Sequence, residues 1–255
     1  MQDRREHACA DWRDWRNLFL QRRGRPLPDP FAVDPQLAAV PASVARSLAV
    51  FQLGESGGGT IIEQARQSGI STINDDYAEA MVLFVAEEHR HAELLACGVR
   101  MLKGELISDN WTAKLFVFGR RLIGLRLKVM VLLVAEVVGI CYYHLLASRL
   151  PLSRLRTLLE EIVADELLHL DFHCAFLRRQ TRSSWRRAVF RFAWRLLSCA
   201  AAAVVLIDHR RALSDMHISF VTVWQRWMAC SCDAESLVCD VSLESVSPRS
   251  TTRFA

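Results

Sequence analysis

Between Val129 and Tyr143 the chain is apolar at every position but one, and that one is Glu136 at the centre. A helix carrying such a stretch must be buried, either in a protein core or in a membrane. A spanning helix needs about 20 consecutive apolar residues, and an ionisable group at mid-depth is expensive and tied to function. The longest apolar run free of charge, Leu196 to Ile207, is too short to span alone. The stretch MQDRREHACADWRDWR at the start is charged, unlike a secretory signal. The expectation is a core helix in a cytoplasmic protein, with contact at the inner membrane face left open.

Composition points the same way. The 255 residues are 51% hydrophobic and 24% charged, with a mean hydropathy of +0.13. That is enough apolar material for a large core in one or two domains. The 8 cysteines form no C-x-x-C pair and no zinc spacing. Most sit in apolar helical stretches, as small buried hydrophobes do in a reducing compartment. Of the 32 basic residues only Lys103, Lys114 and Lys128 are lysines. An arginine bias alone is no nucleic-acid signature, and no nucleic-acid partner is expected.

Strand alternation is absent and helical periodicity runs throughout. A basic, proline-punctuated segment fills residues 1–41. Helices are expected over Ala42–Gln67, Asp75–Lys103, Trp111–Ser148 and Pro151–Thr181. Ser68-Gly69, Gly104 with Ser108-Asp109-Asn110, and Pro151 mark the breaks. Four long helices with short connections predict an all-α antiparallel four-helix bundle over 42–181. A fifth helix over Ser184–Arg210 and a short sixth over Ser214–Met228 form a C-terminal extension at 182–229. Residues 230–255 read as a flexible tail.

Two segments repeat a pattern. Ala86-Glu87-Glu88-His89-Arg90-His91 and Ala164-Asp165-Glu166-Leu167-Leu168-His169 both read Ala-acid-Glu-x-x-His, and the chain holds no other Glu-x-x-His. Residues three apart share a helix face, so Glu88 projects with His91 and Glu166 with His169. Each segment follows a helix with a glutamate in apolar surroundings, Glu55 and Glu136 respectively. The chain thus looks like a duplicated helical hairpin. A buried carboxylate must be paired or bound to metal, and no lysine or arginine stands close to Glu136 on its own helix face. Four carboxylates neutralise two divalent cations, and oxygen with imidazole donors suits iron or manganese.

The set Glu55, Glu88, His91, Glu136, Glu166 and His169 resembles the ligand pattern of the ferritin-like di-iron carboxylate superfamily, over about Ala42 to Thr181. The resemblance implies a ferritin-like bundle holding two iron ions, with manganese as the alternative metal. Glu55, Glu88 and His91 would bind one ion and Glu136, Glu166 and His169 the other, with Glu88 and Glu166 bridging. In the bacterial multicomponent monooxygenases of this superfamily, the acid before each Glu-x-x-His orients the opposite histidine. Glu87 and Asp165 stand at those positions. The rubredoxin cysteine pairs of rubrerythrin are missing. Demethoxyubiquinone hydroxylase is similar in an aromatic pair after the third-helix glutamate, here Tyr142-Tyr143. The extra histidine of the aryl-amine N-oxygenases is replaced by Ile162, and no subfamily is fixed.

The implied function is a non-haem di-iron oxidoreductase that activates dioxygen and oxidises or hydroxylates a small apolar organic substrate. Its electrons would come from a separate donor, since no flavin or iron–sulfur motif is present, and a homodimer is compatible. The alternative is iron handling or peroxide scavenging without an organic substrate. Tyr143, two turns past Glu136 on the same face, is a candidate donor behind the ligands. Gly54, Gly57, Gly58, Gly59 and Gly139 suggest a pocket beside the metals, a π-bulge or close helix packing. His173 reads as a neighbour of the site rather than a ligand, and His89 as facing away. His144, His209 and His217 have no convincing partner. In the fifth helix Arg186, Arg187, Arg191 and Arg195 mix with Trp185, Phe190, Phe192 and Trp194. That mixture fits a membrane-surface helix or a solvated bundle face.

Overall fold

The computed structural model describes residues 11–29, 34–57, 60–112, 114 and 124–240. Among them every regular element is helical. In chain order these are α1 (Trp12–Arg22), a 3-10 turn (Pro35–Ala39), α2 (Ala42–Glu55), α3 (Thr60–Gln67), α4 (Asp75–Met101), α5 (Leu125–Arg149), α6 (Arg154–Gln180), α7 (Ser184–Asp208), α8 (Arg210–Asp215) and α9 (Phe220–Cys239).

The long helices α4, α5 and α6 pack with α2 as a bundle, α5 lying along α6 and α2 along α4. Local chemistry sets their starts. Asn74 caps α4 by accepting from the Tyr77 amide, and Asp75 and Asp76 sit in its first turn, where the helix dipole favours negative charge. Ser153 caps α6 three residues after α5 ends at Leu150. The apolar core falls into two parts. One gathers Tyr77, Phe84, Phe172 and Phe176, the other Leu48, Leu94, Tyr143 and Ile162. On α4 and α6 alike, the acidic and histidine positions fall between residues of the two cores. The polar cluster is therefore a layer sandwiched within the bundle.

The structure departs from the sequence expectations in four places. The N-terminal segment contains a helix, α1, started by a reciprocal capping box between Asp11 and Asp14. Its Trp12, Trp15 and Phe19 follow helical spacing and pack on Tyr77 and Phe172 at ring distances of 4.7 to 6.0 Å. The expected Ala42–Gln67 helix is two helices, because the glycine-rich stretch after Ser56 ends α2 at Glu55. Gly58 and Gly59 lie outside the described residues.

The expected Trp111–Ser148 helix is not continuous. Gly124 is an extended N-cap, so α5 starts at Leu125. Most of 113–123 lies outside the described residues. Finally, the short sixth element is replaced by α8 and by α9, which runs on to Cys239. Residues 241–255 of the expected tail lie outside the described residues.

Among the described residues, two helices are long and apolar enough to cross a membrane, α5 and α7. The most apolar stretch of α5 is 78% buried in the protein, which accounts for its character, whereas that of α7 is 28% buried.

Candidate metal centre

Of the six residues singled out by the repeat, four form one group between α4 and α6, and Glu136 of α5 and Glu55 of α2 adjoin it. Glu88, His91, Glu166 and His169 each offer a ligand atom within 4.8 Å of the others. His169 Nδ1 lies 2.9 Å from Glu88, 3.2 Å from Glu166 and 3.8 Å from Glu136. His91 Nδ1 lies 3.3 Å from Glu166 and 3.7 Å from Glu88. Glu136 is hydrogen-bonded to Glu166 and Glu55 to Glu88. Glu55 is the last residue of α2, half-buried, and accepts from the Tyr143 hydroxyl at 3.4 Å. Helix α5 can approach this closely because residue 139 is glycine. A Cβ there would meet Tyr143 at 3.2 Å and the Glu166 carboxylate at 3.4 Å.

Each histidine is held from behind by the acid of the opposite segment. His91 Nε2 donates to Asp165 at 3.1 Å, and His169 Nε2 donates to Glu87 at 2.9 Å. With Nε2 turned to the outer acid, the Nδ1 atom of each ring faces the cluster. The acids are in turn clamped by arginines. Arg25 grips Asp165 with both terminal nitrogens, at 3.0 and 2.5 Å. Arg22 pairs with Asp165 and, through Nε, with Glu87 at 3.2 Å. Arg90 ties Glu161 to the same group at 2.7 Å.

Electrostatics follow from this crowding. Burial, then the charges of Glu166 and Glu88, push the Glu136 carboxyl well above its ordinary range. Burial with Glu88 and Glu166 does the same to Glu55. Burial would also raise Glu166, but the hydrogen bond from Glu136 and the imidazoles of His91 and His169 hold it well below. His169 is opposed by burial, yet its bonds to Glu166, Glu87 and Glu88 raise it well above an ordinary histidine.

The donor set could hold a metal ion. Carboxylate and imidazole are hard and borderline donors of the type that bind iron and manganese. Two inward-facing atoms, Glu88 Oε1 and His91 Nδ1, are buried with charged neighbours at 2.9 and 3.3 Å but no well-aligned hydrogen bond. Such atoms are costly unless something else binds them.

Arg22, Arg25 and Lys128 escaped the sequence reading, whereas His173 is read there as a neighbour of the site. Arg22 and Arg25 reach the site from the N-terminal segment, and no local pattern could have paired them with acids more than sixty positions away. His173 is fully buried with its Nε2 3.2 Å from Glu136, and burial beside the His169 charge lowers it to about 3. Its one-turn spacing from His169 was the available signal. Lys128, 2% exposed, borders a cavity of about 20 Å³ beside Glu88, with Gly57, Ile61, Phe84 and Leu132 around it. A lysine inside an apolar stretch was its signal. Gly57 thus bears out a space beside Glu88, while Gly139 serves close packing. His89 and His144 are exposed, and His209, expected to have no partner, bonds Ser47 at 2.8 Å and stacks on Phe51. Comparison with protein-family models, curated proteins and solved structures gives no match to this chain.

Proposed function

We propose that the chain is a ferritin-like non-haem di-iron oxidoreductase that consumes dioxygen. The observation that carries this is the reciprocal pairing of His91 with Asp165 and His169 with Glu87, which turns the Nδ1 atoms of both imidazoles toward the carboxylates of Glu88 and Glu166. Such outer partners fix ring orientation and raise ligand basicity in metal sites. Glu55, Glu88 and His91 would hold one iron and Glu136, Glu166 and His169 the other. When bound, the irons supply the electrons that dioxygen takes up, and a separate donor restores them.

The protein's own residues do the rest. Arg22 and Arg25 orient Glu87 and Asp165 through ion pairs, so each histidine keeps its Nε2 aimed at its acid. Tyr143 holds a proton against Glu55 at the edge of the site. Phe84, edge-on to His169 and His173 at 4.8 and 4.7 Å, keeps bulk water from the buried side. A small apolar organic substrate would approach from the Glu88 side, where α2 breaks before α3.

The cavity beside Glu88 favours a second reading. At about 20 Å³ it admits a water or dioxygen-sized molecule and no organic substrate. Peroxide scavenging or iron handling needs nothing larger.

Anaerobic titration with ferrous iron tests the site, and oxygen or peroxide addition followed by absorption tests the chemistry. Two irons per chain and rapid oxidation by dioxygen, accelerated by small apolar amines, quinols or lipids, fit the first reading. Faster reaction with peroxide and indifference to organic additives fit the second. A chain that takes up no iron or manganese contradicts both.

A further inference from the structure

Helix α7 turns an apolar surface away from the protein. Its inner side is pinned to α9, Trp194 donating to the Ser231 carbonyl at 3.1 Å and Ser198 meeting the Ser231 hydroxyl. Its outer side carries Trp185, Val189, Phe192, Leu196 and Ile207, each between 55% and 75% exposed. They follow helical spacing and form a stripe about 33 Å long. An exposed apolar stripe of this length marks an interaction surface.

Charge selects the partner. No acidic residue occurs from Arg182 to Ile207, and Arg210 and Arg211 follow the far end. Arg191 and Arg195 turn aside to Glu235 of α9, while Arg186 lies 5.7 Å from the exposed Trp185 ring. Beside that end opens a recess of about 990 Å³ lined by Arg126, Arg179, Arg182 and Arg186, with Gln64 and Gln180. Among the described residues no carboxylate lines it.

A second copy of the chain is disfavoured. Parallel pairing sets the arginine-rich ends together, and antiparallel pairing sets Arg186 near Arg210 and Arg211. Spanning is disfavoured too. The charge-free run from Leu196 to Ile207 reaches only about 18 Å, against a hydrocarbon core of about 30 Å.

We infer that α7 docks flat on the surface of a bilayer containing anionic phospholipid. Trp185, Phe192 and Leu196 enter the interface, and the arginine-lined recess takes a lipid phosphate. Apolar residues along one face with arginines beside them are the features of a helix lying in that plane.

The test uses the full-length chain in flotation with vesicles of phosphatidylcholine alone or mixed with phosphatidylglycerol. The expected result is binding to the mixed vesicles only, weakened by salt. Phe192→Glu should lose at least about tenfold in affinity, and Arg186→Glu about fivefold or more. Both positions are exposed, so circular dichroism and melting should match the parent chain. Competition by free glycerol phosphate should leave vesicle binding in place. The inference is overturned by equal binding to both vesicle types or to neither, or by full binding of Phe192→Glu. Resistance of the bound chain to alkaline carbonate overturns it in favour of a span. A solution dimer split by Phe192→Glu, with no vesicle binding, overturns it in favour of self-association.

Discussion

The two halves of the candidate metal centre share a sequence pattern and differ in how tightly the protein holds them. Glu136 is in mid-helix on α5 and 3% exposed, walled in by Glu166, His169 and His173. Glu55, its counterpart, ends α2 beside a glycine break and is half-buried, with Tyr143 as its neighbour. The outer acids differ too, each backing the histidine of the other half. Asp165 is 1% exposed and held by Arg22 and Arg25, whereas Glu87 has Arg22 at 3.2 Å and Arg25 at 3.6 Å. The cavity opens on the Glu88 side. A duplicated motif has thus been given a rigid half and a looser one, and the looser one adjoins the space a small molecule could enter.

The largest expected effect separates the two inner glutamates. Glu136→Gln should abolish two-metal loading, weakening the remaining binding by about 100-fold, while Glu55→Gln should cost about tenfold. Glutamine mimics the protonated carboxyl that Glu136 offers Glu166, so the metal-free protein should melt within a few degrees of the parent. Iron stoichiometry after anaerobic loading, read with a thermal melt, measures both. Equal losses in the two variants would remove the distinction between rigid and loose halves.

The outer acids should show a smaller gap. Asp165→Asn leaves two guanidinium groups and His91 without their anion. It should destabilise the fold by about 2 kcal/mol, below the range for fully buried pairs because the arginines are partly exposed. Metal affinity should fall about 10- to 100-fold. Glu87→Gln should cost about half as much stability. Arg25→Gln should reproduce part of the Asp165→Asn loss and add little to it in the double variant, since both remove one interaction. Additive losses would mean that Arg25 acts elsewhere than through Asp165.

What could be read from the sequence follows from the range of each interaction. The pairs Glu88–His91 and Glu166–His169 and the isolated Glu136 are local signals, because helix geometry alone puts residues three apart on one face. The cores of α4, α6 and α7 follow from apolar periodicity for the same reason. The α2–α3 break was written in Gly57-Gly58-Gly59, yet the flanking helical pattern masked it. Helix α1 was hidden by its arginines, although Asp11, Asp14 and the Trp12-Trp15-Phe19 spacing carry a cap and an apolar face. The clamp of Arg22 and Arg25 on Asp165 joins residues 143 and 140 positions apart, and no local rule predicts such a pairing. The apolar excess of α7 was visible, but only its burial pattern shows which side faces out.

The smallest effect compares two glycines, one in each half. Gly54 lies in the last turn of α2 with nothing within 4 Å of an added Cβ, so Gly54→Ala should stabilise the protein by up to about 1 kcal/mol through helix propensity. Gly139→Ala gains the same propensity but drives its methyl to 3.2 Å from Tyr143 and 3.4 Å from Glu166, inside the rigid half. Packing there has no slack, because α5 is fixed between the two cores, and the clash should offset the gain. Denaturant midpoints at constant slope give the comparison directly. If Gly139→Ala stabilises as much as Gly54→Ala, then α5 can shift to make room and Glu136 is not rigidly held. If only Gly54→Ala stabilises, the glycine at 139 is there to let α5 close on the carboxylates.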